Sequence, residues 1–80
     1  MAAPPDLSRL RSFVVLVAEG LHYTKAANRL HISQPGLTQQ IHKLEEEIGA
    51  ALIERSGRAY ALTPIGTLVA EEATAPITPY

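Results

Sequence analysis

Apolar residues recur along the chain at helical intervals, broken at regular places by glycine, serine, threonine and proline. Leu10, Phe13, Val14 and Val17 form the first stripe, widened by Leu7, Val15 and Leu16. Gly20 follows where a left-handed residue commonly closes a helix. This predicts a helix over 7–19, capped by Asp6 or Ser8. A shorter run, KAANRL, places Ala26, Ala27 and Leu30 inside, with Thr24 as its cap. Paired alanines suit a close helix crossing, because a larger side chain would push the neighbour away. His31 and Ile32 then form a turn. Leu37, Ile41, Leu44 and Ile48 step by four, three and four, the strongest pattern in the chain. Ser33 stands where it can cap this third helix, Gln34 is its first residue, and Gly49 stops it. Pro35 loses no internal bond there, since first-turn N–H groups have none to lose.

Periodicity then changes. Leu52 to Glu54 and Tyr60 to Leu62 are short apolar-bearing runs around Ser56-Gly57, which predicts a β-hairpin, a wing. Thr63-Pro64 opens a fourth helix, Thr63 as cap and Pro64 at the first helical position. Leu68, Val69, Glu72 and Ala73 continue it, and Pro76 should end it. The fold class is mainly α with a small β-hairpin. It reads as a winged helix-turn-helix with a three-helix core, a wing and a fourth helix. The boundaries are a flexible N-terminus at 1–6, the domain at 7–63, a fourth helix at 64–75, which the family resemblance below makes a linker helix, and a tail at 76–80.

Eighty residues at 8.6 kDa allow one small domain. There is no cysteine, hence no disulfide framework and no thiolate metal site. The longest aliphatic run, Phe13 to Ala18, is far too short to span a membrane. The opening MAAPPDLSR lacks the pattern of a secretory signal. The expectation is a soluble, cytoplasmic protein. Its net charge of -1 is low for a nucleic-acid binder, but the charges are segregated. Residues 1–44 hold Arg9, Arg11, Lys25, Arg29 and Lys43 against Asp6 and Glu19. Residues 45–80 hold Arg55 and Arg58 against Glu45, Glu46, Glu47, Glu54, Glu71 and Glu72.

Catalytic chemistry finds no set of residues to carry it. His22, His31 and His42 have no ligand partner at short spacing. The glycines are isolated, so no phosphate loop forms. Ser33 and Ser56 lack an evident base and orienting acid. Glu45 to Glu47 point in different directions on a helix and read as a solvated face. No enzyme and no cofactor are expected in this domain.

The positive signal is the unit from Thr24 to Lys43: a short helix, a tight turn and a longer capped helix. In such a unit the second helix enters the major groove by its N-terminal end. The side-chain amides of Gln34 and Gln39 match the adenine edge, Thr38 offers a hydroxyl and a methyl, and Pro35 is compact. The helix start adds N–H groups and partial positive charge. Lys25, Arg29 and Lys43 suit phosphate contacts. Arg55 and Arg58 at the wing suit the sugar-phosphate rail or a narrow minor groove. Tyr23 and Tyr60 read as packing residues.

The segments LRSFVVLVAEG and YTKAANRLHISQPGLTQQIHKLEEEIGAALIERSGRAYALTPIG resemble the N-terminal DNA-binding domain of the LysR-type transcriptional regulators, from about Leu7 to Ala73. The resemblance implies a winged helix-turn-helix that binds double-stranded promoter DNA. It implies a homodimer or homotetramer paired through the linker helix, with Leu68 and Val69 as dimer-contact candidates. Association with the nucleoid and with the transcription machinery follows, and no membrane. By motif position it lends DNA contact to Ser33, Gln34, Pro35, Thr38 and Gln39, with Lys43, Arg55 and Arg58 on backbone or minor groove. Thr24 and Lys25 match the start of the supporting helix. A small-molecule effector belongs to the family's larger C-terminal domain, which has no counterpart in these 80 residues. The chain therefore reads as a fragment or a short relative, and its tail as truncation or cloning sequence. The family more often has basic residues where Gln39 and His42 stand, and a more basic wing. These departures imply weaker, more dimer-dependent DNA affinity. They also keep a second reading open: a winged-helix protein-interaction module with little or no DNA binding.

Overall fold

In the computed structural model, which describes residues 7–74, α1 (Leu7–Ala18) is followed by α2 (Tyr23–Leu30) and α3 (Gln34–Ile48). The hairpin β1 (Ile53–Ser56) and β2 (Ala59–Leu62) comes next, then α4 (Pro64–Thr74). This is the mainly helical, winged helix-turn-helix arrangement. The predicted N-terminus at 1–6, the capping role of Asp6 and the helix stop at Pro76 lie outside the described residues.

The core is where the three helices meet. Phe13 and Leu16 of α1, Leu37, Ile41 and Leu44 of α3, and Leu52 before the wing are buried around Ala26 and Ala27 of α2. The two alanines are 0% and 2% exposed, so α2 meets its neighbours almost backbone to side chain. Four expected core positions differ. Leu10, Val14 and Val17 are only half-buried, and Ile48 is 40% exposed near the end of α3. One polar side chain, Ser12, is buried instead. Its hydroxyl hydrogen-bonds to Ser8 O and to the Gln40 amide, tying α1 to the middle of α3.

The chain turns by paired backbone bonds. Gly20 N–H donates to Val17 O and Leu21 N–H to Leu16 O, with Gly20 at φ 67°. The turn after α2 repeats this around His31, at φ 59°. His31 N–H donates to Asn28 O, and Ile32 N–H to Ala27 O. Two sequence expectations fail at helix starts. Ser8 lies inside α1 and does not cap it. Thr24 lies inside α2, whose cap is His22: its Nδ1 accepts from Lys25 N–H at 3.3 Å. Imidazole reaches the donor that a short hydroxyl reaches more commonly.

The hairpin pairs Ile53 with Leu62 and Ser56 with Ala59. Its turn is Gly57–Arg58, one residue beyond the expected Ser56-Gly57, because Gly57 supplies the left-handed conformation at φ 62°. Thr63 caps α4 as expected: its Oγ1 accepts from Gly66 N–H at 2.9 Å and donates to Ala51 O at 2.6 Å.

Candidate nucleic-acid interface

The first turn of α3 faces solvent. Ser33 is extended (φ -73°, ψ 155°), and its Oγ accepts from Gly36 N–H at 3.0 Å. Because Pro35 has no N–H and that of Gly36 is taken, the N–H of Gln34 is the remaining donor of this turn. The start of α3 is therefore poorer in free donors than the sequence suggested. Leu37, Ile41 and Leu44 turn inward, which puts Pro35, Gln39 and His42 on the opposite side of the helix. Ser33, Gln34, Pro35, Gln39 and Lys43 are exposed, and Thr38 is half-buried. Thr38 Oγ1 donates to Gln34 O at 3.1 Å, so its hydroxyl proton is engaged within the helix.

The remaining candidates divide into three groups. Thr24, Gln34 and Arg58 come together: with His22, Tyr23 and Tyr60 they line a cleft of about 370 Å³ between the wing and the starts of α2 and α3. Gln39 and Lys43 line a second hollow with Arg9 and Gln40, between α3 and α1. Arg29 and Arg55 are turned elsewhere. Arg29 pairs with Glu19 at 2.9 Å. Arg55 Nε donates to Gly57 O, and its guanidinium lies 5.6 Å from the centre of the Tyr60 ring. Lys25, Lys43 and Arg58 have no ion-pair partner among the described residues. Leu68 and Val69 lie on α4, apart from these clefts; Leu68 is 55% exposed, while Val69 packs against the core.

Two side chains fix the wing beside α2 and α3. Glu45 Oε2 accepts from Leu52 N–H at 2.8 Å and Ile53 N–H at 3.3 Å, clamping the base of β1 to the end of α3. Glu45 is thus no solvated charge, contrary to the sequence reading. A carboxylate near a helix C-terminus opposes the macrodipole, and that anomaly was its one available signal. Tyr23 meets Tyr60 with ring centres 4.9 Å apart and planes at 53°. Burial, chiefly, with Tyr60 and Glu45 adding to it, pushes the Tyr23 phenol up to about 12. Among the described residues no group of three or more His, Cys, Asp or Glu could hold a metal ion, and no helix is long and apolar enough to cross a membrane.

A capped helix exposed at its start, a bracing helix before it and a wing beside it define a helix-turn-helix DNA-binding domain of the winged type. Residues 7–67 match the family model described as bacterial regulatory helix-turn-helix protein, lysR family, and the chain belongs to that family. It is 48% identical over 68 residues to the HTH-type transcriptional regulator TfdS of Cupriavidus pinatubonensis, covering 85% of this chain and 23% of that protein. It is 48% identical over 63 residues to the regulator AlsR of Bacillus subtilis, covering 79% of this chain and 20% of that one. Among solved structures it resembles a complex described as BenM_DBD/catB site 1 DNA, at 46% identity and a TM-score of 0.77. That match covers 85% of this chain and 72% of the other. CbnR, a LysR family transcriptional regulator, matches at 40% identity and a TM-score of 0.75, over 85% of this chain and 23% of that one. The chain thus spans about a quarter of the length of the curated relatives named here.

Proposed function

We propose that this chain is the promoter-recognition domain of a LysR-type transcriptional regulator, binding duplex DNA sequence-specifically as a dimer or higher oligomer. The observation that carries this is the exposed start of α3, where Gln34 and Pro35 in the first turn and Gln39 in the second stand clear of the core. The similar BenM domain, solved with DNA, supports the same use of this fold. In this reading Gln34, Pro35, Thr38 and Gln39 meet base edges. Ser33, Lys25, Lys43 and Arg58 meet the backbone or minor groove, and Thr24, Arg29 and Arg55 are secondary candidates because they already donate to Gln34, Glu19 and Gly57. Residues 7–63 form the reading unit and 64–75 the linker helix. Leu68, the more exposed of the two dimer candidates, faces a second copy. Two-fold pairing sets two α3 helices about 34 Å apart, in successive major grooves. A small-molecule effector and contacts with the transcription machinery belong to the longer regulator, acting at the cytoplasmic nucleoid.

Titration of duplex DNA at several salt concentrations tests the proposal. Binding that weakens steeply with salt and depends on sequence supports it. Absence of binding at low salt, with a stable protein complex in its place, would establish the interaction-module reading.

A further inference from the structure

The two helices of the reading unit are joined by one side-chain hydrogen bond. Thr24, second residue of α2, donates from Oγ1 to Oε1 of Gln34, first residue of α3, at 3.1 Å. We infer that Thr24 is a positioning residue for base reading, tethering the Gln34 amide at the start of α3. This rests on the proposed role of Gln34 as a base contact.

The need for such a residue follows from the amide itself. The terminal torsion of glutamine is broad and two-fold, so an unsupported amide shows its C=O and NH₂ in either order. Adenine shows an N7 acceptor and an N6 donor in fixed order along the major groove. A half-turn of the amide converts that match into two repulsions. The Thr24 hydroxyl, able to donate or to accept, leaves that order to the base but holds the amide in place: with Thr24 donating, one carbonyl lone pair is occupied, and the second lone pair and both amide hydrogens remain for the base.

Thr24 is well placed for this task. Ala26 and Ala27 anchor α2 in the core, and His22 caps it, so the backbone carrying Thr24 is fixed. Both side chains are exposed, and in water such a bond contributes little. Inside a groove that excludes water it gains strength when it is needed. The assignment also bears on phosphate binding. Thr24 has a single hydroxyl proton, and one donated to Gln34 is unavailable to a phosphate. Arg58, in the same cleft with no ion-pair partner among the described residues, supplies the cation there.

The test uses the whole chain and a pool of randomised duplex DNA, with bound sequences read after selection and salt dependence measured on the winning duplex. Gln34→Ala should abolish preference at one base pair. Thr24→Val should weaken preference at that same pair by about three- to tenfold, leaving other positions and the salt slope unchanged. Thr24→Ser, which restores the hydroxyl, should restore the preference. Thr24→Ala serves as a second hydroxyl-free variant if the valine unsettles α2, with folding followed by circular dichroism. A preference lost in Gln34→Ala but kept in the hydroxyl-free variants overturns the positioning role alone. Uniformly weaker binding on specific and random duplexes, with preference and salt slope unchanged and the fold intact, makes Thr24 a phosphate contact instead. Equal weakening at every base pair reduces it to a structural role. If Gln34→Ala leaves all preferences intact, base reading at Gln34 fails, and the inference built on it fails too.

Discussion

Replacing Gly66 by alanine sets two well-known effects against each other. Gly66 lies in the first turn of α4, buried against the backbone of Leu52. A methyl group there would overlap the Leu52 carbonyl oxygen, and would sit 2.9 Å from its carbon and 3.2 Å from its Cα. Helix propensity favours the substitution by about 1 kcal/mol. The overlap opposes it. Overpacking costs roughly 1–3 kcal/mol when side chains can adjust, and here the obstacle is main chain, so the upper end applies. Relief requires α4 to move off the wing base. That strains the bond from Thr63 N–H to Leu52 O at 3.0 Å, and its neighbour from Thr63 Oγ1 to Ala51 O. The net expectation is a loss of about 2 kcal/mol, out of a total of roughly 4–12 kcal/mol for a chain of this size. Thermal unfolding followed by circular dichroism should show a Tm lower by about 8–16 °C. An unchanged or raised Tm would refute the reasoning, since propensity alone would then govern the site.

Glu45→Ala removes the acceptor for two amides at the wing base, one of them on the fully buried Leu52. Urea unfolding should report a loss of about 1–3 kcal/mol, and Glu45→Gln, which keeps an acceptor, a smaller one. Tyr23 ionises at its ordinary value of 10.0 in the unfolded chain but near 12 in the fold. The stability it contributes is therefore complete below pH 10 and is lost as the pH rises toward 12. Allowing for solvent around the ring, that loss should be about 1 kcal/mol, and Tyr23→Phe should flatten this part of the stability curve. Lys43→Ala should reduce the logarithmic salt slope of DNA binding by about 1 on specific and random duplexes alike; an unchanged slope removes Lys43 from the phosphate contacts.

Much of this architecture is legible in the sequence because local chemistry and global packing agree. Ser33, Gly49 and Thr63 stand at helix ends where side-chain oxygens and left-handed glycine have a definite use, and each does its expected job. The spacing of Leu37, Ile41 and Leu44 locates the inner face of α3, and hence the outward turn of Pro35 and Gln39. What escapes the sequence is pairing across elements. Periodicity says which way Glu45 faces on its own helix, but nothing about the amides of a later strand. A histidine cap is rare, and the sequence points to Thr24 alone, although the misplaced cap shifts the start of α2 by only two residues. Gly66 reads as an ordinary isolated glycine until the backbone of Leu52 is set against it.

The net charge of -1 bears differently on DNA binding once the ion pairs are known. Arg29 is engaged by Glu19 and Arg9 by Glu47, so two arginines of the basic half are already answered by carboxylates of the same chain. Arg55 is folded back onto Tyr60 and Gly57. Of the proposed backbone contacts, Lys25, Lys43 and Arg58 are the cations without such partners among the described residues. One phosphate each gives a logarithmic salt slope of about -3 per copy and between -5 and -6 for a pair. A slope that shallow leaves less of the affinity to the phosphate backbone. Under the proposed function, a larger share would then come from contacts of Gln34 and Gln39 with bases, and from joining two reading units. The same scarcity of cations that argued against nucleic acid in the bulk composition thus predicts, for the proposed reader, a shallow salt dependence that a measured slope much steeper than about -6 for a pair would refute.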